Sequence, residues 1–175
     1  MTAPAASASL REKGEEMANY ALNYNGEGQE TTYAVYFYGA TNLRAADAGA
    51  DAVTSQINTY RYDAARFAGV ATQAAAVASG DGIKSITYNS IAGRLKGEEV
   101  SNYTQNYNSL GTVTSTAVYF YASGSEMVRA ASASSEALNA QVNTYRLGNG
   151  LAAEYDTLTS IKSITYNRTD GLEKG

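Results

Sequence analysis

Fifteen tyrosines and seventeen carboxylates are what this 175-residue chain has for building chemistry, because it contains no histidine and no cysteine. Without histidine the commonest general base and metal ligand are missing. Without cysteine there is no thiolate nucleophile, no disulfide and no thioether to carry a pigment. Carboxylate chemistry needs acids gathered in one place, and here they are scattered, with no D-x-D-x-D-G loop. The inventory points away from an enzyme and away from a resident metal or covalent cofactor. "GDG" at 80–82 and "GNG" at 148–150 read as turns beside helices, since neither has the G-x-x-x-x-G-K-[ST] context of a phosphate loop.

The tyrosines are patterned. "AVYFYGA" at 34–40 returns as "AVYFYAS" at 117–123. In a strand Val35 and Phe37 share one side and Tyr36 and Tyr38 the other, so the first pair suits a core and the second a surface. Tyrosine combines a large apolar contact area with a hydroxyl and is enriched where proteins dock. Tyr36, Tyr38, Tyr119 and Tyr121 are therefore the first candidates for partner binding. Tyr60, Tyr145, Tyr88 and Tyr166, in other repeated strands, come second, with some of them expected in the core.

The repeat extends well beyond these strands. "KGEEMANYALNYN" (13–25) returns as "KGEEVSNYTQNYN" (96–108), 83 residues on, and "AVYFY" keeps that spacing. "LRAADA" (43–48) and "INTYR" (57–61) match "VRAASA" (128–133) and "VNTYR" (142–146) at a spacing of 85, and "IKSITYN" recurs unchanged at 83–89 and 161–167. Two residues are gained after the first strand and seven are lost before the last one, which marks a tandem duplication with local length changes.

Stepping along one copy, 32–38 alternates and is β-branched and aromatic, a strand. Leu43, Ala46, Ala50, Val53 and Ile57 recur at spacings of three and four, which predicts an amphipathic helix. "INTYRY" (57–62) is a second strand, Asp63 caps a helix running to about residue 79 with Phe67, Val70, Ala74 and Val77 on one face, and 83–89 is a third strand. The second copy gives strands at 115–121, 142–146 and 161–167, with helices at 127–140 and 150–159. "NYALNYN" and "NYTQNYN" add a fourth strand to each sheet or form extended arms, the Asn after each Tyr suiting turns. Arg44 and Arg129 sit at the predicted helix starts, against the dipole, which hints at a salt bridge or a contact outside the module.

The expected fold is thus α+β: two tandem repeats of a small three- or four-stranded sheet with two helices, in βαβαβ order. The boundaries are a flexible N-terminal tail (1–12), module 1 (13–90), a connector (91–100), module 2 (101–168) and a C-terminal tail (169–175). Thirteen Lys and Arg against seventeen Asp and Glu give a net charge of −4, which argues against nucleic acid. No apolar run approaches a membrane span and the first residues lack the apolar core of a secretory signal, so the expected location is intracellular. An RNA-recognition-like module is the competing reading, because "VYFYGATNL" somewhat resembles a base-stacking strand; its basic-Gly-aromatic-Gly-aromatic partner motif is absent. A protein–protein adaptor of another kind is the third.

From "TTYAVYFYG" through "NTYRYDAARFAGVATQAAAVASGDGIKSITYN" each unit resembles the CpcD-like small linker domain of cyanobacterial and red-algal phycobilisomes, with "GDGIKSI" and "TSIKSI" as the closing patterns. The resemblance implies a colourless scaffold that joins phycobiliprotein rings (allophycocyanin or phycocyanin), contacts other linkers and tunes bilins carried by its partners. It also implies a cytoplasmic place at the periphery of the photosynthetic membrane. Two modules joined by a short connector would then gain avidity for two rings.

Overall fold

The structure, a computed structural model, describes residues 12–13, 15–71 and 82–169. Its frame is one antiparallel sheet of nine strands: β1 (Tyr20–Tyr24), β2 (Glu30–Tyr38), β3 (Thr54–Arg61), β4 (Ile83–Ser90), β5 (Val100–Tyr107), β6 (Val113–Ser123), β7 (Glu126–Arg129), β8 (Asn139–Arg146) and β9 (Ile161–Tyr166). The strands follow one another across the sheet in chain order, except that β7 pairs only with β6. The single described helix is α1 (Ala64–Ala71).

The duplication is visible as two four-stranded meanders, β1 to β4 and β5, β6, β8 and β9, with the same register inside each. Tyr36 lies opposite Ile57 in the first and Tyr119 opposite Val142 in the second. The two are not separate bodies. β4 pairs with β5 from Ser85–Asn106 to Ser90–Val100, so the halves share one uninterrupted ladder.

This overturns the expected α+β pair of βαβαβ repeats, and with it the resemblance to the phycobilisome linker domain, which requires two separate sheet-and-helix modules. The reasons are local. Residues 43–53 form successive turns instead of a helix: Arg44 O accepts from both Asp47 N and Ala48 N, then Gly49 O accepts from Ala52 N, and Leu43 bridges back to Tyr38. The alanine stripe signalled burial, since Ala45 and Ala48 are buried, but small side chains pack in turns as well as in helices. Residues 127–140 begin as β7, folded back on β6 through a turn in which Gly124 has φ +62°. Residues 150–159 form successive turns instead of the expected helix: Gly150, with φ +84°, accepts through its carbonyl from Ala153 N, and Glu154 O accepts from Thr157 N.

Helix α1 starts as expected. Asp63 caps it, its Oδ1 accepting from Arg66 N at 2.8 Å, and Phe67 and Val70 face the sheet. The rest of the expected helix, Ala74 and Val77 included, lies outside the described residues. The turn after each "NYN" also forms as its asparagine suggests: Asn25 Oδ1 accepts from Glu27 N and Gln29 N, and Asn108 Oδ1 from Leu110 N and Thr112 N.

One sheet face is closed. In the first half Tyr33, Val35, Tyr60, Ile83 and Ile86 pack beneath Phe67 and Val70, and in the second Val118, Phe120 and Tyr145 pack beneath Ala153. The opposite face is covered where the chain after β2 packs on Tyr36 and Tyr38 and the chain after β7 on Tyr121, and its rows pass from large to small and polar side chains, one running Tyr36, Ile57, Thr87, Thr104, Ala117, Thr144, Ser163. Residues of this face are mostly half-buried. Among the described residues no helix is long and apolar enough to cross a membrane.

Candidate functional site

The eight tyrosines singled out by the repeat do not converge on one site. Tyr36 and Tyr38 share a face as alternation predicts, but the loop after β2 folds over them, and Tyr38 is buried with Ala45 and Ala48 while Tyr36 packs alongside, half-buried. Tyr38 donates its hydroxyl to Ala18 O at 2.6 Å, and Tyr121 donates to Ser101 O at 2.7 Å in the same way. Each therefore ties the chain at the start of its own meander to the second strand. Burial pushes the Tyr121 phenol up to about 12. Tyr119 is half-buried, its hydroxyl 3.0 Å from Thr104 Oγ1.

Tyr60 and Tyr145 are core residues with no exposed surface. They end a motif that sequence reasoning missed, Q-x-N-x-Y. Gln56 Nε2 donates to Asn58 Oδ1 at 2.6 Å and Asn58 Nδ2 to the Tyr60 hydroxyl at 3.0 Å; Gln141, Asn143 and Tyr145 repeat this at 2.7 and 3.1 Å. In the second half the ladder also holds the covering turns. Gln141 and Asn143 both donate to Tyr155 O, and the Tyr145 hydroxyl donates to Thr157 O. Fully partnered polar groups of this kind fix a geometry, because leaving one unpaired in a core costs about 1–3 kcal/mol. The only sequence signal was the recurrence of Gln and Asn at alternate positions that should have been apolar. Burial raises the Tyr60 phenol to about 12.

Arg44 and Arg129 contact their own halves, not a neighbour. Arg44 Nη2 donates to Asn19 Oδ1 at 2.8 Å and to Val70 O; Arg129 Nη2 donates to Asn102 Oδ1 at 2.9 Å and its Nη1 to Leu151 O and Ala153 O. Their guanidinium carbons sit 6.0 Å from the Phe37 ring and 5.7 Å from the Phe120 ring. Burial lowers both pKa values. Each arginine pins the segment that covers the closed face.

The remaining two tyrosines belong to strands with a different status. Tyr88 on β4 stacks on Tyr103 of β5, ring centroids 4.6 Å apart, at the junction between the halves. Its counterpart Tyr166 lies on β9, at one end of the sheet, and is 71 % exposed. Tyr24, on β1 at the other end, is 55 % exposed. Among the described residues β1 pairs only with β2 and β9 only with β8, so each offers an outer row of backbone N–H and C=O groups. These two edges are the candidate interaction sites.

No group of three or more metal-ligating acids is found among the described residues. Comparisons with protein-family models, with curated proteins and with solved structures give no match to this chain.

Proposed function

We propose that the chain is a structural scaffold that works by associating with protein through the edges of its sheet. The observation that carries this is the β4–β5 junction: two copies of one meander are already joined by strand pairing alone, and the same kinds of edge are presented again at β1 and β9. The shortage of catalytic side chains supports the reading, as does the use of the predicted tyrosines as internal ties. Phycobiliprotein rings and bilin contacts rested on a resemblance that the fold overturns, and they form no part of the proposal. An RNA-stacking surface has no support either, since Tyr38 and Tyr121 are buried.

Gentle extraction from the native source followed by size-exclusion chromatography tests the scaffold reading. The chain is expected in fractions far larger than a single copy. Elution as the free chain at native concentration would overturn it.

A further inference from the structure

The internal junction is a template for a contact between chains. β9 is the second copy of β4, with "IKSITYN" unchanged, and β1 is the first copy of β5. We propose that β9 of one chain pairs antiparallel with β1 of a second copy in the register of β4 and β5, so that chains add head to tail into one extended sheet. This deepens the scaffold reading and rests on it. Transferring the observed register by the repeat places Tyr166 opposite Tyr20 of a second copy, Thr165 opposite its Ala21 and Ile164 opposite its Leu22, as Tyr88, Thr87 and Ile86 lie opposite Tyr103, Thr104 and Gln105.

Four features of the free edges fit that contact. Asn167 N donates to Ala140 O, so by alternation the N–H groups of Tyr166 and Ile164 point away from β8, towards the open side. Tyr36 N donates to Asn19 O, which by the same alternation leaves the N–H groups of Tyr20 and Leu22 pointing outward from β1. Ahead of β1 the bonds found ahead of β5 recur: Glu12 N donates to Glu15 Oε2 at 2.9 Å as Leu95 N does to Glu98 Oε2 at 2.9 Å, and the return bonds Glu15 N to Glu12 O and Glu98 N to Leu95 O are both 3.0 Å.

Arginine supplies the fourth. Arg61 spans the junction, donating from Nη1 to Ile83 O on β4 and from Nη2 to Tyr107 O on β5. Its counterpart Arg146 makes the first of these bonds, to Ile161 O. The position that corresponds to Tyr107 is Tyr24 of a second copy. Lys84, on the central strand β4, shows that Lys162 at the same place on β9 is no barrier to pairing. Because the two edges differ, the contact is heterologous, and each added chain presents a fresh edge for the next, giving a filament or, where the rotation between copies closes, a ring.

The chain has no cysteine, which makes cross-linking clean. At the template pair Thr87 Oγ1 and Thr104 Oγ1 are 2.9 Å apart, so a Thr165→Cys, Ala21→Cys double variant places two thiols within disulfide reach only if β9 meets β1 in this register. Under mild oxidation the double variant should give a ladder of covalent multimers that reductant collapses, and a mixture of the two single variants should give dimers and nothing larger. Circular dichroism checks that both single variants keep the fold. Absence of the ladder, or single variants that cross-link to themselves as readily as to each other, would overturn the head-to-tail pairing. A chain that forms no ladder but still elutes in a large native complex would refute the self-pairing alone; a chain free in both measurements would refute the scaffold reading too.

Discussion

The two halves of the molecule share a frame and differ in how they close it. Both use β-strands in the same register, the same Gln–Asn–Tyr ladder, the same arginine pin and the same tyrosine tie. Over the first half Tyr33 stacks on Tyr60 at 5.1 Å and Phe67 of α1 tilts against Tyr33 at 5.3 Å. In the second half Tyr33 is replaced by Thr116, fully buried, with its hydroxyl donating to Leu147 O. The covering chain there descends onto the sheet, with Gly150 against the Tyr145 ring. The frame therefore carries either lid, and the strand position beneath differs to match: a large ring at 33 packs against the helix, and a small hydroxyl at 116 bonds the turns.

The comparison breaks most directly at that position. Tyr33→Thr removes a fully buried ring that the helix cannot follow inward, and should cost about 3–4 kcal/mol. Thr116→Tyr should cost about 2–3 kcal/mol by overpacking. Urea unfolding of the two variants measures both. A neutral result at either position would mean that the residue beneath need not match its lid.

Gly150→Ala sharpens the contrast from the other side. A Cβ at Gly150 would stand 2.3 Å from Cδ2 of Tyr145, and the backbone there has φ +84°. The Tyr145 ring is buried and held through its hydroxyl, so it cannot swing aside. A loss of about 2–3 kcal/mol is expected, read as a fall in thermal midpoint of roughly 5–10 °C. An unchanged midpoint would show that the turn lid is loose.

Those positions also explain what the sequence made legible. Repetition located the centres of β2, β3, β4, β6, β8 and β9, while β1 and β5 stayed open between strand and extended arm; Asp63 announced the start of α1, and Asn25 and Asn108 their turns, because each of these signals acts through neighbours in the chain. The helix expected at 43–57 failed because Ala45 and Ala48 are buried by turns that Arg44 pins through Asn19 and Val70, partners distant in sequence. The Gln–Asn–Tyr ladder was invisible for the same reason: its polar side chains read as exposed until the sheet buries them. As for the candidate site, only Tyr166 of the eight tyrosines lies on an edge strand, and the edges themselves were not legible at all. Whether IKSITYN is central or terminal depends on which strand lies beside it.

Each half also has a deeply buried tyrosine that makes its stability sensitive to alkali. Burial raises Tyr60 in the first and Tyr121 in the second from 10.0 to about 12. A phenol whose folded pKa lies above its unfolded value stabilises fully below pH 10, and that contribution is lost as pH rises towards 12. Stability should therefore decline across pH 10–12, and Tyr60→Phe and Tyr121→Phe should each remove part of the slope. Urea midpoints measured through this range test it; a slope unchanged in both variants would assign the decline to other groups.

The smallest expected effect isolates the second lid. Thr116→Val keeps shape and burial but deletes the hydroxyl that donates to Leu147 O at 2.9 Å. Leu147 N is bonded to Thr114 O, so the residue stays at the end of β8 and only its carbonyl loses a partner. The cost should be about 1 kcal/mol. Protection of the amides in 147–160 against hydrogen exchange should fall further than that of α1, because the lid opens by a local motion that α1 does not share. Equal changes in both would mean that the two lids open together, and that the shared sheet, not the contact at 116, sets the stability of each.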